Sequence, residues 1–226
     1  MKHLKLFESF DDDIESICNE LKITNWKLNP DGGVDVDGNV DISYLRLTKL
    51  PIKFGKVTGY FNCHFNKLNS LEGSPIEVGG NFYCPNNRLT TLEGGPIEVG
   101  DGFNCAYNQL TSLEGAPSEI IGNFECSNNE LTSIEGGPIY VGEGFFCSYN
   151  NLIGLEGGPK EIGGEFDCRF NPIFAVYKLF PDYKSFMDSL DYNYLRGKAI
   201  VKIRLEEALD ELGIKVPKFI KGYKYI

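Results

Sequence analysis

The chain has 226 residues, 42% of them hydrophobic and 24% charged, with a formal net charge of −10. That length and mix exclude wholesale disorder, and the negative balance argues against general affinity for nucleic acid, which rests on clustered Lys and Arg. No run approaches the ~18 apolar residues that span a membrane, and MKHLKLFESFDDD turns to charge before a signal-peptide core can form, so no membrane association and a cytoplasmic location are expected.

Residues 1–25 carry an amphipathic helix signal, with Leu4, Phe7, Phe10, Ile14, Ile17 and Leu21 spaced by threes and fours. Asp11, Asp12 and Asp13 suit the start of a helix, where free N–H groups favour negative charge, which predicts the main helix over 12–22. From residue 26 the period changes to two. Val34, Val36, Val40 and Ile42 alternate with polar residues between the turn signals Asn29-Pro30-Asp31-Gly32 and Asp37-Gly38, which predicts short strands in hairpins. The string Asp35, Asp37, Asn39, Asp41 lacks the Gly and the closing Glu of a calcium loop, so outward strand residues are expected instead.

Residues 26–57 end in a worn copy of a motif that then repeats six times at a spacing of 21, over 58–171, beginning at Gly59, Gly80, Asp101, Gly122, Glu143 and Gly164. Phe61, Phe82, Phe103, Phe124, Phe145 and Phe166 stand two residues before Cys63, Cys84, Cys105, Cys126, Cys147 and Cys168, so in a strand both columns point inward. An Asn column follows at 66, 87, 108, 129, 150 and 171, suited to satisfying backbone groups of neighbouring turns. Two Leu columns complete the core, and a Glu-Gly-x-Pro turn ends each rung. With so few residues per coil, the return path is expected to be extended or 3₁₀. The Glu ladder 72, 93, 114, 135, 156 reads as a turn feature whose carboxylates are bonded by adjacent N–H groups.

Seven cysteines raise the question of a disulfide framework, but six of them share one repeat position, as small buried core residues do in a reducing compartment. No two stand at metal-ligand spacing and the only histidines are His3 and His64, so neither metal nor cofactor is expected. After residue 171 the repeat breaks. Helices are predicted over 172–180, 182–190 and 198–212, the last stopped by Gly213, as a C-terminal cap over 172–226. The closing stretch IKVPKFIKGYKYI holds four Lys and no acid, and is expected to be a solvated edge with its rings packed inward.

The segments NNRLTTLEGGP, YNQLTSLEGAP and NNELTSIEGGP resemble the short bacterial type of leucine-rich repeat, whose core reads roughly NNxLTxLPxLP. The resemblance covers about half the chain and departs from the family where Phe-x-Cys replaces Leu-x-Val or Leu-x-Leu. The Phe-x-Cys variant, the start MKHLKLFESF and the ending NPIFAVYKLFPDYKSFMDSLDYNYLRG are similar to leucine-rich repeat proteins of large tailed bacteriophages. The fold expected is therefore a β-rich leucine-rich repeat solenoid with a parallel sheet and helical caps.

Such solenoids bind on the face of the stacked strands. The outward column there is Asn62, Tyr83, Asn104, Glu125, Phe146 and Asp167, and one step along it His64, Pro85, Ala106, Ser127, Ser148 and Arg169. Tyr83 and Phe146 are the expected anchors, because exposed aromatics on a regular sheet commonly mark interfaces. Phe65, Tyr107, Tyr149 and Phe170, just before the Asn column, are compatible either with the rim of this face or with packing between rungs. No Ser-His-Asp set, phosphate loop or zinc motif is present, and no Cys follows Cys168, so the ubiquitin-ligase activity of some bacterial relatives is not carried over. The expectation is a non-catalytic module in the host cytoplasm that binds a host or phage protein. The alternative is a virion-associated, head-packaged protein with a targeting peptide cut after Glu8. A third reading, an enzyme, would need a buried polar cluster among Tyr177, Asp182, Asp191 and Arg196.

Overall fold

The computed structural model describes residues 14–190 and 195–226. The stretch expected under the alternative reading to be a targeting peptide lies outside the described residues, as does the first part of the predicted helix, of which α1, Ile14–Glu20, is described. Ile17, Cys18 and Leu21 are buried at this end. Trp26–Leu28 and Val34–Val36 form the first expected hairpin, with Asn29 holding its turn by accepting from the N–H groups of Asp31 and Gly33. The second, about Asp37-Gly38, does not form, because Val40–Asp41 crosses to the other sheet and pairs parallel with Phe61–Asn62.

Each coil of the solenoid contributes two short parallel strands. The first set, from Val40–Asp41 through Phe61–Asn62 to Phe166–Asp167, makes one seven-stranded sheet. The worn copy is thus a full member of it, paired through Val40 and Phe61. The return path is extended, as strands such as Glu77–Val78 and Glu98–Val99. Along the first sheet every residue meets its counterpart one repeat away, Phe82 against Phe103 and Tyr83 against Asn104. Within each strand the Phe points inward and its successor outward, the ordinary alternation.

The Phe column stacks from Phe61 to Phe166 with ring centroids 5.1–5.9 Å apart. Burying each such ring stabilises by about 1.5–3 kcal/mol. Beside it the six column thiols are free and buried, as is Cys18 in α1. The Asn column closes the strand exits. Asn87 donates to the carbonyls of Cys63 and Cys84 at 3.0 and 3.1 Å, and accepts from the N–H of Leu68 at 3.0 Å.

The return strands do not form one sheet. They divide between Glu98–Val99 and Glu119–Ile120. The residue after the return strand is Gly at 79, 100, 142 and 163, and each of these N–H groups donates to the preceding rung at 2.8–2.9 Å. A Cβ on any of them would collide with the carbonyl of the residue one rung back. At the break the residue is Ile121, whose N–H makes no such bond among the described residues. Ile121 thus carries a side chain where those rungs have Gly, and the ladder is open there.

The turn between return and face strands alternates in chemistry from coil to coil: Gly80-Asn81, Asp101-Gly102, Gly122-Asn123, Glu143-Gly144. Asn81 donates to Asp101 at 2.8 Å and accepts from the N–H of Gly102 at 2.9 Å. Asn123 repeats this with Glu143 and Gly144 at 2.6 and 2.8 Å. The coils are therefore joined in pairs by a 42-residue unit. The Glu ladder is corrected: among the described residues those carboxylates make no hydrogen bond to the turn. They are exposed, so solvent relieves their repulsion, and Ser70, Ser112 and Ser133 accept from the Glu N–H groups instead.

At the far end α2, Phe174–Tyr177, and α3, Tyr183–Ser189, cover the last rung. Phe166 meets the rings of Tyr183 and Tyr177 at 4.5 and 5.2 Å, and Tyr183 donates to the Pro159 carbonyl at 2.8 Å. The third predicted helix begins later than expected. Residues Leu195–Arg196 and Ala199–Ile200 form a hairpin about Gly197, whose φ of 58° permits the turn, and α4 is Lys202–Asp210. Lys224–Tyr225 pairs with Ala199–Ile200, so the cap is mixed rather than helical. In the basic tail Tyr223 and Tyr225 pack inward and Phe219 does not; Tyr223 donates to the Ile153 carbonyl at 3.0 Å.

Candidate functional site

The outward side of the seven-stranded sheet places the predicted residues in three groups. Tyr83, Asn104, Glu125 and Phe146 come together around one open cleft of about 440 Å³. Tyr83 and Phe146 stand three rungs apart on it, ~14 Å at ordinary strand spacing. The rest of its wall comes from the alternating turn, with Asn81, Asp101, Asn123 and Glu143. Phe146 leans over its own turn, where a Cβ on Gly144 would lie 2.5 Å from its ring. Glycine at that position is what gives the ring its seat.

The other predicted residues lie towards the two ends. Asn62 and His64 bond to each other at 2.5 Å, and His64 meets Tyr44 edge-on at 4.7 Å. At the opposite end Asp167 is buried and Arg169 exposed, and they pair through two side-chain bonds of 2.9 and 2.8 Å. Burial pushes the Asp167 carboxyl up, but the side-chain and backbone bonds from Arg169 outweigh it and leave the pKa below its ordinary value. Glu125 has no cation partner among the described residues. Burial raises its pKa, which the bond from the Ser127 N–H at 3.0 Å only partly offsets. Burial and the Asp101 charge raise Tyr83 as well.

The turn residues Asn81, Asp101, Asn123 and Glu143 were missed by reading single repeats. Their signal is the alternation of Gly-Asn with acid-Gly, visible only at twice the repeat length. The rim residues were open between two arrangements, and their left-handed backbone was not foreseen. Tyr44, Phe65, Asn86, Tyr107, Asn128, Tyr149 and Phe170 all have φ between 50° and 59°. The five rings among them are exposed, which decides between the two arrangements open to them. Tyr44 stacks on Phe65 at 4.8 Å and Tyr149 on Phe170 at 4.2 Å.

In the terminal cap, Tyr177 is partly buried while Asp182 and Arg196 are exposed, so these three form no buried polar cluster, and Asp191 lies outside the described residues. Asp182 instead caps α3, accepting from the Ser185 N–H at 2.7 Å. Burial drives the Cys column thiols well above their ordinary pKa, so they are protonated and inert at neutral pH. Among the described residues no group of three His, Cys, Asp or Glu is placed to hold a metal ion, and no helix is long and apolar enough to cross a membrane. Searches against protein-family models, curated proteins and solved structures returned no match.

Proposed function

We propose that the chain is a non-catalytic, phage-encoded scaffold that binds a host or phage protein in the host cytoplasm through the strand face of its solenoid. One observation carries this reading: the two outward aromatics, Tyr83 and Phe146, flank the same open cleft, with the hydrogen-bonding and acidic groups of Asn104, Glu125, Asp101 and Glu143 between them. Separated rings over a polar floor are the arrangement of anchor residues at a protein interface. The seven rungs span roughly 30 Å, wide enough for such a surface.

The test is an affinity pull-down from host and infected-cell lysates, comparing wild type with a Tyr83→Ala, Phe146→Ala double variant of unchanged circular dichroism. A partner that is retained by wild type and lost from the variant supports the strand face. A partner retained by both refutes it.

A further inference from the structure

Left-handed backbone brings the Cβ of an L-residue against the following carbonyl and costs about 1–2 kcal/mol per residue. Asn86 and Asn128 show that the rim turn forms with a short polar residue that tolerates it. Yet Phe65, Tyr107 and Tyr149 occupy the same position with φ of 50°, 55° and 55°. Tyr107 gains no stacked ring among the described residues for that strain, and is 57% exposed. The core does not require these rings, which leaves recognition as their use.

Where consecutive rungs both carry rings the rings stack, at 4.8 and 4.2 Å. Asn86 and Asn128 each leave one rung of that ladder without a ring, between Phe65 and Tyr107 and between Tyr107 and Tyr149. Each gap is two rungs, ~10 Å from ring to ring, so one flat ring entering it would stand about 5 Å from both neighbours. The second gap opens into a cleft of about 390 Å³ lined by Tyr107, Asn128, Tyr149, Ser127, Ser148 and Glu125. The side-chain amides of Asn86 and Asn128 make no hydrogen bond among the described residues.

We propose that this rim binds an uncharged glycan, each ring-free rung receiving one pyranose residue. A pyranose offers polarised C–H faces to the negative faces of aromatic rings, and hydroxyls at its edge to the waiting amides. Its chair is thicker than a planar base or an aromatic side chain, which matches a separation nearer 5 Å than 3.4 Å. From residue 65 to 170 the rim column has no charged side chain, although the chain as a whole carries −10. A neutral ligand complements that column, whereas a basic peptide or a nucleic acid finds no opposite charge on it. This inference is independent of the strand-face reading.

Saturation-transfer NMR and calorimetry with cellohexaose, chitohexaose and mannohexaose test it. Wild type is expected to bind at least one, with transfer strongest to axial C–H protons. A Tyr107→Asn, Tyr149→Asn variant, which adopts the residue already found on alternate rungs, should bind about 10-fold more weakly or worse. Asn128→Tyr, which fills the second gap, should weaken binding comparably. The Tyr83→Ala, Phe146→Ala variant should retain the sugar even where it loses a protein partner. The proposal is overturned if none of the three hexasaccharides binds at millimolar concentration, or if both rim changes leave binding intact. Loss of a protein partner from the rim variant, with no sugar bound by wild type, also overturns it and assigns the rim to protein recognition.

Discussion

Asn129 accepts the backbone N–H of Leu110, a residue of the preceding rung, on its side-chain oxygen at 3.0 Å, while its amide donates to the carbonyls of Cys105 and Cys126. One buried side chain thus completes the backbone of two coils. Asn129→Ala would leave these groups unpaired and should cost about 2–4 kcal/mol in urea unfolding. Asn129→Asp should cost at least as much, because a carboxylate accepts from Leu110 but donates to neither carbonyl.

The broken return sheet yields a pair of opposite substitutions. Gly142→Ala places a methyl against the Ile121 carbonyl and should destabilise by about 1–3 kcal/mol. Ile121→Gly removes the obstruction, and hydrogen exchange should show the amide of residue 121 newly protected by the preceding rung.

The thiol column makes stability fall with alkali. A folded pKa raised above the unfolded one gives stability that is complete below the unfolded value and lost as pH rises toward the folded one. For Cys168 that window runs from the ordinary 9.0 to about 12, and burial likewise raises the upper end for the other rungs. Each protected thiol then costs about 1.4 kcal/mol per pH unit above 9. Under reducing conditions Tm should drop steeply from pH 9. Iodoacetamide should label the native column at least ~100-fold more slowly than the unfolded chain.

Glu125 and Asp167 should show opposite pH behaviour. Burial holds the Glu125 carboxyl above its ordinary value, so its ionisation opposes folding as pH rises; Glu125→Gln should raise Tm at pH 7 and bring no gain at pH 3. Asp167 is held below its ordinary value by Arg169 against the effect of burial. Its contribution is present at neutral pH and lost as pH falls. Arg169→Met should therefore lower Tm at pH 7, with the deficit shrinking in acid.

The inward columns were legible in the sequence because two signals coincide there: Phe103 and Cys105 are two residues apart, which fixes their face, and both recur at 21, which fixes their stacking. Val40 and Ile42 announced a seventh strand by the same rule. The left-handed rim was not legible, since nothing local in Tyr107 or Tyr149 signals positive φ; only Asn86 and Asn128 in the same column hint at it. Nor was the hairpin before α4, where Ile200 and Val201 fit the apolar stripe of the following helix equally well. The cleft wall escaped because Asn81 and Asp101 sit at different repeat positions and acquire a shared role only across the coil boundary.

That boundary also determines how such a protein can lengthen or shorten. In the middle coils each Asn turn is followed by an acid-Gly turn, as Asn123 is by Glu143 and Gly144. Excising the coil that begins at Asp101 would set two Gly-Asn turns side by side and leave the Asn81 amide without its carboxylate. Excising two preserves every junction. The heritable module of this molecule is consequently the double coil, and natural or engineered length variants should differ by multiples of it.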